Sequence, residues 1–396
     1  MNQSVTNKHG DLWGEIRNAL DARYDVVLWC DLLKGDTDIN LTKLYNAFLF
    51  LKDFTFSPKQ RVVIYHRDTD YYVGPDANGF TIRNIYKLFN YLNIPSEHAI
   101  IVTAYRGFET ESERLAKSFN ISPMQVIYCP YQWCPVPNNI NPIDINSNLI
   151  NFPFVCVNLR PRAHRLYTLI KFMEQDIFDC GITSLWTDST ASFVMEDTDT
   201  DTDIIVDLAP IPKGLDLQGC MHPTRINNSL ILSDNQRHLF HQGYQKLHPH
   251  THPMITGLPN QADNLTQAGF LQYALLNVVT ETIGDYPYSF ITEKTIKAIL
   301  TKRPFVILGG RHPVKNLKDL GFKTFDHWID ESYDQHETFA NRCDAAIPEI
   351  KKYCNMPATE LQSYCSEMQD VLEYNFQHYI ENFGRKQVAN LINNML

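Results

Sequence analysis

The chain has no apolar run near the roughly 20 residues that a membrane helix needs. Its first ten residues, Met1 to Gly10, lack the apolar core of a signal peptide, so export is not expected. It has no excess of base. The net charge of −10 argues against a large duplex-DNA footprint, which would need clustered Lys and Arg. A local basic pocket inside an acidic protein stays compatible with that charge. The nine cysteines stand singly, with no Cys-x-x-Cys pair, which suits reduced thiols in a cytoplasm and not a disulfide framework or a zinc site. A Gly-x-Ser-x-Gly elbow and a Walker-type phosphate loop are also missing.

What is present is an alternation of strand and helix signals over 396 residues, a length ordinary for two domains. Strands are predicted at Asp25–Asp31, Arg61–His66, Ala99–Thr103 and Gln125–Tyr128. Helices are predicted between them at Asn40–Lys52, Thr81–Leu92 and Glu109–Phe119. This pattern predicts a parallel sheet flanked by helices. Proline and asparagine then crowd residues 130–151, the best linker in the chain. Alternation restarts with a strand at Phe154–Asn158, a helix at Arg162–Asp176 and a strand at Ile182–Trp186. After an irregular stretch over 187–262, a strand is predicted at Leu275–Thr280. The tail from about 337 to 395 reads as two or three helices, with Tyr374, Phe376, Tyr379 and Phe383 at helical spacing. The expected architecture is α/β, with two Rossmann-like parallel-sheet domains and a C-terminal helical tail. Residues 1–135 form the first domain, 136–151 the linker and 152–396 the second domain. The cleft at the C-terminal ends of the strands is the expected ligand site.

Three segments could carry chemistry. The first is Phe290 to Gly310. Thr292 is a plausible N-cap, Glu293 suits the first helical turn, and Lys294 and Thr295 follow. The helix leads into a Pro-Phe-Val-Ile-Leu strand and a double glycine, so its start is a strand-end mouth where a phosphorylated ligand could sit. The alternative is a capped surface helix with an ordinary Glu and Lys. The second segment is Asn158-Leu159-Arg160-Pro161-Arg162-Ala163-His164-Arg165, where guanidinium groups at a helix start could grip phosphate oxygens in a fork. The alternative is a solvated basic cap. The third runs from Lys318 to Phe325 and on to Asp330-Glu331-Ser332-Tyr333-Asp334. It reads as a helix C-cap, a short strand, and an acidic loop that either closes over a ligand or is purely structural.

Two further stretches look like metal sites. Asp197, Asp199, Asp201 and Asp203 form an Asp-x-Asp repeat with oxygen ligands suited to calcium or manganese, although a solvated low-complexity loop explains it too. His238, His241, His248, His250 and His252 could ligate zinc, but no acidic or Cys partner stands at a defined spacing. No metal is assigned.

Those three segments, in that order, resemble a family of often virus-encoded, glycosyltransferase-like proteins. The resemblance covers about residues 152–345. The Glu-Lys helix also resembles the donor site of fucosyltransferase-type GT-B enzymes. The resemblance implies a cytoplasmic GT-B-like glycosyltransferase, hexosyl- or fucosyltransferase-like. Such an enzyme takes its donor, a nucleotide-sugar, as a substrate and needs neither metal nor cofactor. It implies that Glu293 binds the donor ribose and Lys294 the diphosphate. It further implies that Arg162 and Arg165 stabilise the diphosphate leaving group, with Thr292, Thr295, His164, Arg160 and Asn158 around them. A glycan hydroxyl, or less readily a modified DNA base, is the expected acceptor. Asp68 and Asp31, near strand ends of the first domain, are the candidate bases. Two other readings stay open: a non-catalytic binding or assembly protein with a degenerate donor fold, and a metal-dependent GT-A-type transferase using Asp197–Asp203.

Overall fold

A computed structural model describes residues 12–32, 41–66, 80–129, 147–158, 163–185, 250–251, 271–284 and 288–383. The chain divides into two compact units, one holding the described residues up to 129, the other those from 147 to 381.

In the first unit, helix α1 (Leu12–Asp21) precedes four strands, β1 (Asp25–Leu32), β2 (Gln60–His66), β3 (Ala99–Thr103) and β4 (Gln125–Tyr128). Helices α2 (Leu41–Leu49), α3 (Phe80–Leu92) and α4 (Phe108–Phe119) connect them. All pairings are parallel, and the strands lie in the order β1-β2-β3-β4. Every residue of β3 is buried, as expected of a central strand covered on both faces. The order runs one way only, so right-handed crossovers place α2, α3 and α4 on one face, and α3 touches both of its neighbours. The Tyr86 hydroxyl fastens this layer: it donates to the Ser112 carbonyl at 3.0 Å and accepts from the Met124 amide at 3.0 Å.

In the second unit, β5 (Phe152–Asn158), β6 (Ile182–Leu185), β8 (Ala274–Thr280) and β9 (Phe305–Leu308) are parallel. A two-residue strand, β7 (His250–Thr251), pairs antiparallel with the edge of β6. The order is β7-β6-β5-β8-β9. Here the winding reverses. The chain leaves β5 toward β6, yet leaves β8 in the opposite direction toward β9. Such a reversal opens a crevice at the C-terminal ends of the two strands. All seven residues of β8 are buried, which makes it the spine of this unit.

Helix α5 (Ala163–Glu174) follows β5, α6 (Glu293–Leu300) precedes β9, and α7 (Pro313–Asp319) follows it. The tail holds three helices, α8 (Phe339–Lys351), α9 (Ala358–Glu367) and α10 (Gln369–Asn382). The architecture is therefore α/β with two mainly parallel sheets and a helical tail. Among the described residues no helix is long and apolar enough to cross a membrane. The short strand expected within Gly321–Phe325 does not form. Gly321 sits at φ +88°, the left-handed region that ends a helix, and the chain runs on extended. The Asn375 side chain then takes both backbone groups of Lys323, accepting from its N–H at 2.9 Å and donating to its carbonyl at 2.8 Å. One side-chain amide replaces a strand partner, while Phe322 and Phe325 anchor the segment in the core.

Candidate functional site

The reversal in the second sheet lies between Asn158, the last residue of β5, and Thr280, the last of β8. The two side chains close the gap between the strand ends, the Thr280 hydroxyl donating to the Asn158 Oδ1. Asn158 also donates to the Cys156 Sγ at 3.5 Å, and burial pushes that thiol up to about 12. Asn158 is thus an internal fastening and has no face toward solvent.

The residue after β8 organises everything near it. Glu281 has no exposed surface. Its carboxylate accepts from the Thr292 amide at 3.0 Å, the Thr295 hydroxyl at 2.6 Å, the Thr282 amide at 3.2 Å and the Thr292 hydroxyl. A buried carboxylate needs several donors of this kind, and it also suits the positive end of a helix. It therefore sits at the mouth of α6, where a free anion was expected. Its backbone carbonyl is held as well, with His164 Nε2 2.8 Å away and an Arg165 N–H donating from 3.4 Å.

The expected site residues consequently fall into two groups. Thr292, Thr295, His164, Arg165 and Asn158 come together around Glu281, but all five are buried. They form the wall behind the crevice. Glu293 and Lys294 are the pair that reaches solvent, with 34% and 25% of their side-chain surface exposed. The Lys294 ammonium donates to Glu293 at 2.8 Å, Thr282 at 2.9 Å and Thr292 at 3.1 Å. Burial opposes ionisation of Glu293, but the charge and hydrogen bond of Lys294, with Lys297 nearby, outweigh it and hold the carboxyl at about 2. At neutral pH Glu293 is a fixed acceptor for hydroxyl donors and cannot act as a general acid.

The loops around this wall need small residues and one clamp. A side chain at Gly284 would lie 2.4 Å from the His164 Cβ, and one at Gly309 3.0 Å from the Glu281 Cβ. Gly309, the first of the two glycines after β9, thus serves close packing against Glu281. The fully buried Arg342 donates to the carbonyls of Gly284 and Gly309, both at 2.8 Å, and to those of His336 and Glu337 at 2.8 and 2.9 Å. It ties the loops after β8 and β9 to the start of α8.

The acidic segment Asp330–Asp334 proves structural. Asp334 is buried and accepts from the Val314 and Lys315 amides at 3.1 and 3.0 Å, capping α7, and burial pushes its carboxyl up. Glu331 accepts from the Thr324 hydroxyl and the Phe325 amide, both at 2.8 Å. The Tyr333 hydroxyl accepts from the Ile307 amide at 3.2 Å, bracing β9. None of these groups hangs over a ligand site.

Asp31 is the next-to-last residue of β1, an edge strand, in register with Tyr65 of β2. Asp68, Arg160, Arg162 and Asp197–Asp203 lie outside the described residues, as do all the clustered histidines except His250, which lies in β7. Glu281 and Arg342 are the residues that sequence reasoning missed. The one signal for Glu281 was a carboxylate placed directly after a mostly apolar strand. Compared with models of known protein families and with curated proteins, the chain matches neither.

Proposed function

We propose that the chain is a glycosyltransferase of the GT-B type, moving a sugar from a nucleotide-sugar donor to a hydroxyl acceptor without a metal. The observation that supports the reading best is a coincidence of place and charge. The strand order reverses between β5 and β8, and the partly exposed Glu293–Lys294 pair opens the helix beside that reversal. Open α/β sheets take their ligands at such points.

In this reading Lys294 changes partners. Its ammonium leaves the Glu293 carboxylate for the donor diphosphate, and the carboxylate, ionised throughout, accepts from the ribose hydroxyls. The Glu281 carboxylate holds Thr292 and Thr295 still beneath them, so the start of α6 need not reorganise as charge develops. Sugar transfer requires the charge of the departing nucleoside diphosphate to be neutralised, and fixed cations and helix dipoles do that well. Arg165 and His164 contribute by positioning, through the Glu281 carbonyl. Arg160 and Arg162 keep the phosphate-gripping role that the resemblance implies, and Asp31 and Asp68 remain the candidate bases.

Calorimetry against a panel of nucleoside diphosphates and nucleotide-sugars tests the reading. At least one should bind, and Lys294→Ala should weaken it by 10-fold or more, a loss of about 1.4 kcal/mol or more. Unchanged affinity in both Lys294→Ala and Glu293→Ala would overturn it.

One observation favours a second reading, a binding or assembly protein that keeps a degenerate donor fold: Lys294 already has three polar partners within the chain. The two readings part on turnover. A transferase releases nucleoside diphosphate from the bound donor when a hydroxyl acceptor is supplied, and a binding protein does not.

A further inference from the structure

Strand β5 runs between β6 and β8, a position in which both faces of a strand are normally covered. Pro153, Phe154, Val155, Cys156 and Asn158 follow that rule and are buried. Val157 does not. Its side chain is 38% exposed, one residue before the strand ends at the reversal. The sheet on either side is closed. Ser184, in register with Val157 on β6, is buried, and so is Val279 of β8.

The alternation of side chains along a strand fixes the face on which Val157 stands. Phe154 packs against Phe172 of α5, with ring centroids 4.9 Å apart, so the even-numbered residues of β5 face α5. Val157 points to the opposite face. Val155 is in register with Asn277 of β8, and the Thr280–Asn158 hydrogen bond carries that register to the strand ends. The odd-numbered residues of β8 therefore share the face of Val157. Glu281 continues that series, since its amide still donates to the Leu308 carbonyl of β9 at 2.8 Å. Its carboxylate takes the Thr292 amide and the Thr295 hydroxyl, so α6 begins on this same face. Val157 and the mouth of α6 thus lie on one side of the sheet, on strands that pack about 4.8 Å apart. Helix α9 meets β5 at its other end, where Gln362 donates to the Ile150 carbonyl at 3.1 Å.

Two kinds of surface stand side by side here. One is the partly exposed Glu293–Lys294 pair, and the other is an apolar side chain open to water. Phosphate or diphosphate alone would use the first and leave the second wet. A ligand that joins an anion to a flat apolar ring uses both, and a nucleoside diphosphate has that form, with the ribose as the spacer.

We propose that Val157 is the platform on which the nucleobase of the donor lies. The proposal rests on the donor reading above, in which Glu293 takes the ribose and Lys294 the diphosphate, and it adds the third part of the same ligand. The ring covers the Val157 methyl groups and removes them from water. That gain needs no hydrogen bond, so it is shared by purines and pyrimidines. It also leaves base discrimination to other groups.

The test is calorimetry on the full chain with nucleoside diphosphates, the matching nucleotide-sugars and inorganic pyrophosphate, the last measured by displacement of bound nucleoside diphosphate. Val157→Asn should weaken the nucleoside diphosphate by about 5-fold or more and leave pyrophosphate unchanged, whereas Lys294→Ala should weaken both. The negative heat-capacity change of nucleotide binding should shrink in Val157→Asn, because less apolar surface leaves water. Should Val157→Asn fail to fold, Val157→Thr keeps the branched shape of the side chain and must show the same selective loss. Nucleoside diphosphate affinity equal to the parent's would overturn the proposal, as would an equal loss for pyrophosphate. A loss confined to the nucleotide-sugar would overturn it too, since the sugar and not the base would then lie on Val157. The two readings fail separately. Weakened binding in Lys294→Ala beside unchanged binding in Val157→Asn refutes the platform alone, whereas a parent chain that binds no nucleotide refutes the donor reading and the platform with it.

Discussion

Replacing Glu281 tests the account of the site most directly. In Glu281→Ala the amides of Thr292 and Thr282 and the hydroxyls of Thr292 and Thr295 lose their acceptor in a place water does not reach. The hydroxyls can turn toward other acceptors, but the two amides cannot. Each stranded donor costs about 1–3 kcal/mol, and the vacated volume adds to that, giving about 3–5 kcal/mol in all. For a unit of this size that is a fall of roughly 6–20 °C in melting temperature, at about 2–4 °C per kcal/mol. Glu281→Gln keeps the volume and one acceptor oxygen and should cost about 1–3 kcal/mol. Thr295→Val removes the 2.6 Å donor, and its penalty should shrink by about 1 kcal/mol when it is combined with Glu281→Gln, since the two changes share one interaction. Differential scanning calorimetry, with urea titration of the same proteins, measures all three. An Ala variant within about 0.5 kcal/mol of the parent, the scatter expected of a surface change, would refute the claim that Glu281 organises the crevice.

Gly284→Ala should destabilise by about 1–3 kcal/mol, because its methyl would lie 2.4 Å from the His164 Cβ, and a urea midpoint equal to the parent's would count against that close packing. Arg342→Lys keeps the charge but loses the planar fork that reaches four carbonyls, so a loss of about 2–4 kcal/mol is expected, and a midpoint like that of the parent would count against the clamp. Glu293 titrates lower in the folded chain, at about 2, than its ordinary 4.5. A depressed carboxyl contributes stability above pH 4.5 and loses it as pH falls toward 2. The stability gap between the parent and Glu293→Gln should therefore narrow between pH 5 and pH 3, and a constant gap would contradict the pairing with Lys294.

Much of the strand content was legible because β3 and β8 are short, mostly apolar runs, the mark of a strand covered on both faces. The order of the strands was not legible. Nothing local distinguishes the one-way winding of the first sheet from the reversal in the second. Thr292 was read as an N-cap and does cap α6, and the Glu293–Lys294 pair that follows it is partly exposed. Thr295, His164 and Arg165 were placed beside it but on the wrong side of the wall. A sequence shows that a polar residue stands at a helix start, but not whether another segment brings it a buried partner. Glu281 was overlooked for the same reason, as its four donors come from residues up to Thr295 and depend on a loop closing back over it. The acidic stretch Asp330–Asp334 stayed open between a ligand-closing and a structural loop because its caps lie on another helix, where Asp334 meets the amides of Val314 and Lys315.

The two strand orders also set a difference in folding kinetics. In the first sheet each strand pairs with the next one along the chain, 25–32 with 60–66, 60–66 with 99–103 and 99–103 with 125–128, so each loop closes over a modest length. In the second, β5 pairs locally with β6, but its other partner, β8, begins at residue 274, across more than a hundred intervening residues. Long-range pairing slows folding, because the closure entropy is lost before the contacts form. Pulsed hydrogen exchange should therefore find the amides of β2 and β3 protected before those of β8. The Glu281 cluster, which needs β8 in place and α5 beside it, should be among the last parts to become protected. Protection of β8 ahead of β2 would show that kinetics here do not follow the winding.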